Sequence, residues 1–356
     1  MLKGHTFGQL HNCPRHTVII GMKNKRILVT GGCGFIGHHL VHMLRERGVS
    51  VRVLDIDPID LGEGIEILKG SILDTAFVAQ AFEGMDQVYH LAANPYLWLP
   101  DKDDFYRINT TGTQIVLEAA RKQGIERFVY TSTESILKGT RKRKNSPDGG
   151  LVDERVSLSL GDMPGPYCRS KYLAEELAMD AAKNGLPVVI VNPTLPVGPG
   201  DRHLTPPNRM LLGFLRGEYP AYLDCAFNMI DVRDVALGHI YAAEHGRVGE
   251  RYILGGENLF LHEVLGILEE LSSRPMPKRR VPYWLAYAAA FVNEAWSDLV
   301  TKKPPTAPIT GVRLASSPMV FDCSKTAKEL GLKPRPIRQS LTEMLPWLIA
   351  EGYLSA

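Results

Sequence analysis

The chain contains 356 residues, of which 44% are hydrophobic and 22% are charged, and its formal net charge at pH 7 is +2. Such a chain can bury a substantial core in one large domain or in two interlocked ones. The weak net charge argues against a nucleic-acid-binding protein. The five cysteines are scattered and lack the paired spacing of a metal site, which predicts a protein of the reducing cytoplasm without a metal.

The first 23 residues differ in character from the rest of the chain. Three histidines and a cysteine lie among them, at positions 5, 11, 16 and 13, but their spacing matches no common metal site. The segment has no apolar stretch of the kind that a secretory signal needs. We therefore expect residues 1–23 to be an extension outside the fold, either disordered or not part of the native protein.

A glycine-rich turn follows the first predicted strand. Arg26–Thr30 predict a short buried strand, and Gly31, Gly34 and Gly37 follow it before a predicted helix from His38 to Arg47. This spacing allows a tight turn, close approach of the backbone to a pyrophosphate, and packing of the helix on the strand. The free N–H groups at the helix N-terminus favour phosphate there. We interpret the turn as a dinucleotide-binding site.

Asp55 follows the second predicted strand, Val51–Leu54. An acidic side chain at this position can accept hydrogen bonds from the adenosine ribose and would repel a 2′-phosphate. The next two residues, Ile56 and Asp57, supply no cation for such a phosphate. The sequence therefore favours NAD over NADP as the cofactor.

Strand and helix patterns alternate from Lys25 to about Asn192, which predicts an α/β fold with a Rossmann-type doubly wound parallel sheet. The further predicted strands are Ile65–Leu68, Gln87–Leu91, Arg127–Tyr130 and Pro187–Val191. Residues 24–192 are expected to form the NAD-binding domain, to which residues 229–250 return. Residues 193–228 and 251–356 are expected to form a smaller, mainly helical substrate-binding lobe.

Tyr167 and Lys171 are four residues apart, which on a helix places both side chains on one face. The ordinary pKa of a tyrosine is about 10, and a neighbouring ammonium lowers it by favouring the phenolate. A tyrosine tuned in this way can exchange a proton with a carbinol while a nicotinamide exchanges the hydride. Thr133 follows the fifth predicted strand, where its hydroxyl can polarise the same substrate oxygen.

Five motifs occur in one order along the chain. They are the glycine turn, Tyr89–Ala93, Asn109 with Gly112 and Thr113, the hydroxyl after the fifth strand, and the Tyr167/Lys171 pair. Together they resemble the extended short-chain dehydrogenase/reductase family (NAD-dependent epimerases and dehydratases) over residues 24–353. Within it the chain is most similar to the dihydroflavonol reductase and 3β-hydroxysteroid dehydrogenase branch, and closest to hopanoid-associated sugar epimerases. The resemblance implies an NAD-dependent oxidoreductase that acts on a CH–OH group and forms a homodimer.

The resemblance also implies roles for individual residues. Thr133 matches the catalytic hydroxyl, Tyr167 the acid–base, and Lys171 the residue that tunes the tyrosine and holds the nicotinamide ribose. Ser71 stands where the family usually has an aspartate near the adenine. Asn109 is expected to hold the central strands together. The expected cofactor contacts are Gly31, Gly34, Phe35, Ile36, Gly37, Asp55, Ser71, Ile72, Ala92, Ala93, Tyr167, Lys171, Asn192 and Pro193.

The substrate is less clearly indicated. Nucleotide-sugar epimerases usually carry Arg-Pro after the sixth strand, and here Asn192 takes the place of the arginine. Aromatic residues near the expected site suggest an amphiphilic, polycyclic or isoprenoid alcohol. Three hypotheses stay open: a dehydrogenase or reductase for such a substrate, a sugar epimerase that retains NAD, and a non-catalytic NAD(H)-sensing protein. The predicted substrate contacts are Tyr96, Trp98, Glu134 and Tyr222.

Residues 281–292 form an uncharged apolar run, preceded by basic residues at 278–280 and followed by others at 302 and 303. The run is too short to span a bilayer. It suits peripheral contact with the anionic inner membrane face, but a buried helix or a dimer face would have the same composition. The expected partners are therefore a small-molecule substrate, a second copy of the chain and, as one alternative, a membrane surface, but no nucleic acid.

Overall fold

The computed structural model describes residues 25–138, 151–316 and 318–355. The predicted extension at residues 1–23 lies outside the described part. The strands are β1 Arg26–Thr30, β2 Ser50–Asp55, β3 Ile65–Lys69, β4 Gln87–His90, β5 Arg127–Thr131, β6 Val188–Pro193, β7 Leu195–Val197, β8 Ala226–Asp231, β9 Arg251–Leu254 and β10 Glu257–Phe260. The α-helices are α1 Phe35–Glu46, α2 Thr75–Phe82, α3 Asp103–Phe105, α4 Gly112–Gln123, α5 Pro166–Lys183, α6 Pro206–Leu215, α7 Val232–His245, α8 Leu261–Ser272, α9 Tyr283–Trp296, α10 Ile309–Leu314, α11 Ser324–Glu329 and α12 Ile337–Ala350.

Seven strands form one parallel sheet in the order β3-β2-β1-β4-β5-β6-β9. The chain reverses its direction of winding between β1 and β4, which is where a doubly wound sheet binds its ligand. The six strands predicted before Asn192 agree with the observed ones to within two residues at each end. The predicted Rossmann-type α/β fold is therefore confirmed.

Helices cover both faces of this sheet, and the strands are apolar on both sides as a result. Along β1, Ile27 and Val29 face the core under α1 and α7, whereas Leu28 faces the core under α2, α4 and α5. All three side chains are fully buried. This two-residue alternation between two apolar cores explains why β1 was recognisable as a continuous apolar run.

The second lobe surrounds a three-stranded sheet in the order β10-β8-β7. β8 pairs parallel to β7 and antiparallel to β10. The strand predicted from Met229 therefore does not return to the large sheet, and that assignment was wrong. Instead α7 packs against α1, and β9 becomes the seventh strand by pairing with β6. Periodicity could not distinguish these outcomes, because all six residues of β8 are buried and an apolar strand suits either sheet.

The apolar run at 281–292 lies mostly in α9, which continues through a π-helical turn at Ser297–Thr301. Ala290 is the one buried residue of α9, so the run is a surface helix rather than a core helix. Within the described residues, no helix is long and apolar enough to cross a bilayer.

Candidate active site

The first part of the site is the turn between β1 and α1. Gly31 has a φ of +70°, and a Cβ atom there would lie 2.7 Å from the Ala92 backbone nitrogen. A Cβ atom at Gly37 would clash with the Gly31 carbonyl oxygen. Gly34 precedes α1 without a side-chain cap, so the first N–H groups of the helix face the turn uncovered by a side chain. This backbone cradle fits the pyrophosphate of a dinucleotide.

Asp55 is the last residue of β2 and lies beside this turn. Its carboxylate accepts hydrogen bonds from the backbone N–H groups of Cys33, at 2.9 Å, and Asp57, at 3.0 Å. A carboxylate has about four acceptor positions, so Asp55 can still accept from ribose hydroxyls. Asp55 therefore has a second task that the sequence did not indicate, which is to hold the turn in place.

The other predicted cofactor contacts lie along the same edge of the large sheet or at the start of α1. They are Phe35 and Ile36 at the start of α1, Ser71 and Ile72 after β3, Ala92 and Ala93 after β4, and Asn192 and Pro193 at the end of β6. Ser71 accepts a hydrogen bond from the Leu73 N–H at 3.1 Å, which closes a local turn. Contact of these residues with the cofactor stays a prediction.

The second part of the site joins the residues after β5 to the first turn of α5. Thr133 caps the short helical turn Glu134–Ile136, and its hydroxyl accepts from the Ser135 N–H at 3.3 Å. Tyr167 is the second residue of α5. The Tyr167 phenol lies near the Thr133 hydroxyl, and this hydroxyl lowers the pKa of Tyr167. The fold thus brings together the two hydroxyl groups that the sequence predicted to be catalytic.

Lys171 lies one turn further along α5 and is only 3% exposed. Its ammonium donates to the Tyr130 hydroxyl at 3.1 Å and to the Thr131 carbonyl at 2.8 Å. Burial lowers the pKa of Lys171 to about 8, an effect that the negative charge of Glu175 opposes. The structure shows no hydrogen bond between Lys171 and Tyr167, both of which it describes. Lys171 is therefore anchored to β5, and its effect on Tyr167 stays a prediction.

Glu134 places a buried carboxyl beside the two hydroxyl groups. The Thr133 hydroxyl donates to it at 2.9 Å. Burial raises the pKa of Glu134 to about 7, and the hydrogen bond from Thr133 opposes this rise. Burial, followed by the charge of Glu134, raises the pKa of Tyr167 well above its usual value, while the hydrogen bond with Thr133 lowers it. Tyr167 is consequently a phenol in this state and can donate a proton.

A buried polar chain supports the site from the β6 side. The Asn192 amide donates to the Thr133 carbonyl at 3.1 Å and to the Glu175 carboxylate at 2.9 Å. Glu175 also pairs with Arg251 of β9 at 2.8 Å. Glu175 was not predicted from the sequence, although a signal was present: it lies four residues after Lys171, on the same face of α5.

Asn109 ties the loop after β4 to α5. It is fully buried, accepts from the Asn94 N–H at 2.7 Å, and donates to the Ser170 hydroxyl at 3.0 Å and the Asn94 carbonyl at 3.2 Å. Asn109 therefore has a structural task, but the expectation that it holds the central strands together was wrong, because its side chain links a loop to a helix.

The predicted aromatic substrate contacts include two residues with packing tasks of their own. Trp98 is buried and donates its indole N–H to Asp298 at 2.8 Å. Tyr222 is buried as well, and its hydroxyl accepts from Arg280 at 3.2 Å. Tyr96 is partly exposed. Contact with a substrate stays a prediction for these three residues and for Glu134.

A parallel sheet with a glycine cradle at its switch point and a Tyr–Lys helix beside β5 defines a nucleotide-dependent oxidoreductase of the Rossmann type. The comparison with known families agrees, because residues 27–255 match the NAD dependent epimerase/dehydratase family. The chain belongs to this family. It is an NAD(P)-dependent oxidoreductase, and NAD is its cofactor.

Individual relatives cover nearly the whole chain. A putative dihydroflavonol 4-reductase of Synechocystis is 39% identical over 92% of this chain and 95% of its own. The sterol demethylase protein B of Methylococcus capsulatus is 30% identical, over 92% and 99% of the two chains. The decarboxylating sterol-4-alpha-carboxylate 3-dehydrogenase of Mus musculus is also 30% identical, over 88% and 87%. Among solved structures, gox2253 is 33% identical with a TM-score of 0.81, and the match covers 93% of this chain and 100% of that one.

Proposed function

We propose that the protein is an NAD-dependent dehydrogenase or ketone reductase for the secondary alcohol of an amphiphilic, polycyclic or isoprenoid substrate. The observation that carries the proposal is that Thr133 after β5 lies near Tyr167 of α5, with the buried Lys171 one turn further along the same helix. This group lies at the carboxyl edge of the sheet that also holds the glycine cradle. A nicotinamide and a substrate carbinol can therefore meet at these side chains.

NAD, when bound, would supply the hydride acceptor. The glycine cradle would hold its pyrophosphate, and Asp55 its adenosine ribose. Thr133 and Tyr167 would both hydrogen-bond the carbinol oxygen. During oxidation Tyr167 must first lose its own proton, and as the phenolate it then accepts the hydroxyl proton; during reduction the phenol donates that proton to the carbonyl oxygen. Burial and the charge of Glu134 disfavour the phenolate form of Tyr167. We propose that the positive charge of Lys171, which is anchored to β5, favours this phenolate and so assists catalysis.

Two observations favour an amphiphilic substrate over a nucleotide sugar. A nucleotide diphosphate needs cations in its site, but Asn192 is uncharged and its amide is engaged by Thr133 and Glu175. Residues 226–228, before the end of β8, are Ala-Phe-Asn and are all buried. The other observation is that two of the relatives are named for sterols and a third for a dihydroflavonol, which are polycyclic molecules.

A sugar epimerase that retains NAD is the second candidate. The family description includes epimerases, and a UDP-glucose 4-epimerase of Thermus thermophilus in complex with NAD has a similar fold, with a TM-score of 0.71 at 23% identity. Tyr167 and Thr133 would then serve first an oxidation and afterwards a reduction of the same sugar carbon. A non-catalytic NAD(H) sensor has less support, because such a protein would need neither Tyr167 nor Lys171.

The deciding experiment incubates the purified protein with NAD and polycyclic 3-hydroxy lipids and, separately, with NAD and nucleotide sugars. NADH and epimer formation are then measured in each incubation. Stoichiometric NADH from the lipids supports the dehydrogenase, whereas an epimer without net NADH supports the epimerase. Tyr167→Phe should reduce either turnover by about 10²-fold or more while NAD still binds. Unchanged turnover in this variant would refute both catalytic assignments.

The same proposal includes the finer points of organisation. We propose a cytoplasmic homodimer with an NAD-binding domain at residues 24–192, to which α7 returns, and a substrate lobe that includes residues 193–231 and the chain after β9. The pairing of β9 with β6 moves residues 251–254 to the NAD-binding side of this division. Light scattering of the purified protein would test the dimer.

A further inference from the structure

The outward face of α9 and of the π-helical turn after it is apolar. Eight large side chains of this segment are each at least 38% exposed, and Leu299 is 80% exposed. We call them the α9 surface: Tyr283, Trp284, Leu285, Phe291, Val292, Trp296, Leu299 and Val300. Water-soluble proteins rarely leave so many large apolar side chains together on the surface unless something binds there.

The polar side chains of the same segment lie on the opposite side and serve the body of the protein. Asn293 accepts a hydrogen bond at 2.9 Å from the backbone N–H of Thr306, in the loop that leads into α10. Glu294 accepts one at 2.7 Å from the backbone N–H of Ile309, the first residue of α10. Asp298 accepts from the Trp98 indole and from Lys102. A helix at the surface of a water-soluble protein normally has the reverse arrangement, with its apolar side inward. The α9 surface is thus suited to an apolar environment.

Basic side chains border both ends of the α9 surface. Arg279 and Arg280 precede α9, Lys302 and Lys303 follow the π-helical turn, and all four are exposed. Arg280 is also paired with Asp224 at 3.2 Å. Aromatic residues with a cationic border match the headgroup region of an anionic bilayer, where aromatic rings and basic side chains are both favoured.

The segment that carries the α9 surface is linked by hydrogen bonds to the loop after β4 and, through α10, to the residues before α5. Trp98, which binds Asp298, belongs to the loop that follows β4. On the other side, Arg313 of α10 donates to the Pro164 carbonyl at 3.0 Å, just before α5 and Tyr167.

We propose that the α9 surface docks the protein on an anionic membrane, with α9 lying in the interface plane rather than across the bilayer. A second copy of the chain is a poorer occupant, because a symmetric pair of these surfaces would bring their basic borders together. The proposal concerns this surface alone and does not depend on the identity of the substrate.

The test measures cosedimentation of the whole protein with vesicles of phosphatidylcholine and with vesicles that also contain phosphatidylglycerol. We expect binding to the mixed vesicles and at least about a tenfold loss of binding for the double variant Trp284→Glu/Phe291→Glu. The control variant Val248→Glu/Ile349→Glu adds the same charges at exposed apolar residues elsewhere and should bind like the wild type. Arg279→Glu/Lys303→Glu should remove the preference for the anionic vesicles.

Three results would overturn the proposal. The wild type could stay in the supernatant with both kinds of vesicle, or Trp284→Glu/Phe291→Glu could bind as well as the wild type. Alternatively, the wild type could bind no vesicles and be a dimer in light scattering, while the double variant is a monomer. That result would assign the α9 surface to contact with a second copy. None of these measurements uses enzyme activity, so they are independent of the test of the proposed function.

Discussion

Replacing Glu134 by Gln removes a buried titratable carboxyl while nearly keeping its shape and its contact with Thr133. Burial raises the pKa of this carboxyl from 4.5 to about 7, which at 1.36 kcal/mol per pKa unit corresponds to about 3 kcal/mol. Since the folded pKa lies above the unfolded one, the folded wild type binds the proton more tightly. Its stability therefore falls as the pH rises from 4.5 through about 7, and the full loss is present above that range.

The assay is urea unfolding of the wild type and Glu134→Gln without added cofactor. Linkage predicts that the free energy of unfolding of the variant, relative to the wild type, increases by about 2–3 kcal/mol between about pH 5 and pH 8. Glu176→Gln is the matched control, because Glu176 is exposed on α5. A stability difference for Glu134→Gln that stays constant with pH would refute the assignment of a buried, titrating carboxyl beside Thr133.

Three further predictions address the turn, the cofactor and the scaffold. Gly37→Ala should weaken NAD binding in calorimetry by about tenfold or more, because the added Cβ would clash with the backbone of Gly31 and Gly32. The control variant Gly161→Ala, where the nearest atom is 3.7 Å from the added Cβ, should bind NAD normally. Asp55→Ala should weaken NAD binding and reduce the difference in affinity between NAD and NADP. An equal loss of affinity for both cofactors would mean that Asp55 only holds the turn. Asn109→Ala removes three hydrogen bonds made by a buried side chain and should lower the free energy of unfolding by about 2–4 kcal/mol. A loss below about 1 kcal/mol in urea unfolding would contradict the structural role of Asn109.

Local patterns determined the parts of the site whose geometry is local. Gly31 has a positive φ and Gly37 has no room for a side chain. Both positions therefore require glycine, and the spacing of the glycines was enough to predict the turn. Tyr167 and Lys171 share a face of α5 because a helix repeats every 3.6 residues or so. The doubly wound parallel sheet was predictable from the alternation of apolar strands and helices before Asn192, because strands covered by helices on both faces are apolar on both sides.

Tertiary structure decided the features that depend on what packs against a residue. The apolar pattern of β8 suited two sheets, and only packing assigned it to the small one. The burial of Glu134 beside Thr133, and the use of Lys171 to bind Tyr130 and Thr131, depend on contacts between elements far apart in the chain. The run at 281–292 was compatible with a core helix, a dimer face or a membrane contact, and the fold left its apolar side uncovered. Sequence by itself determined the family and the fold, because those rest on local backbone and helix geometry. The environment of each ionisable group, and what the outer surface meets, were decided only when distant segments came together.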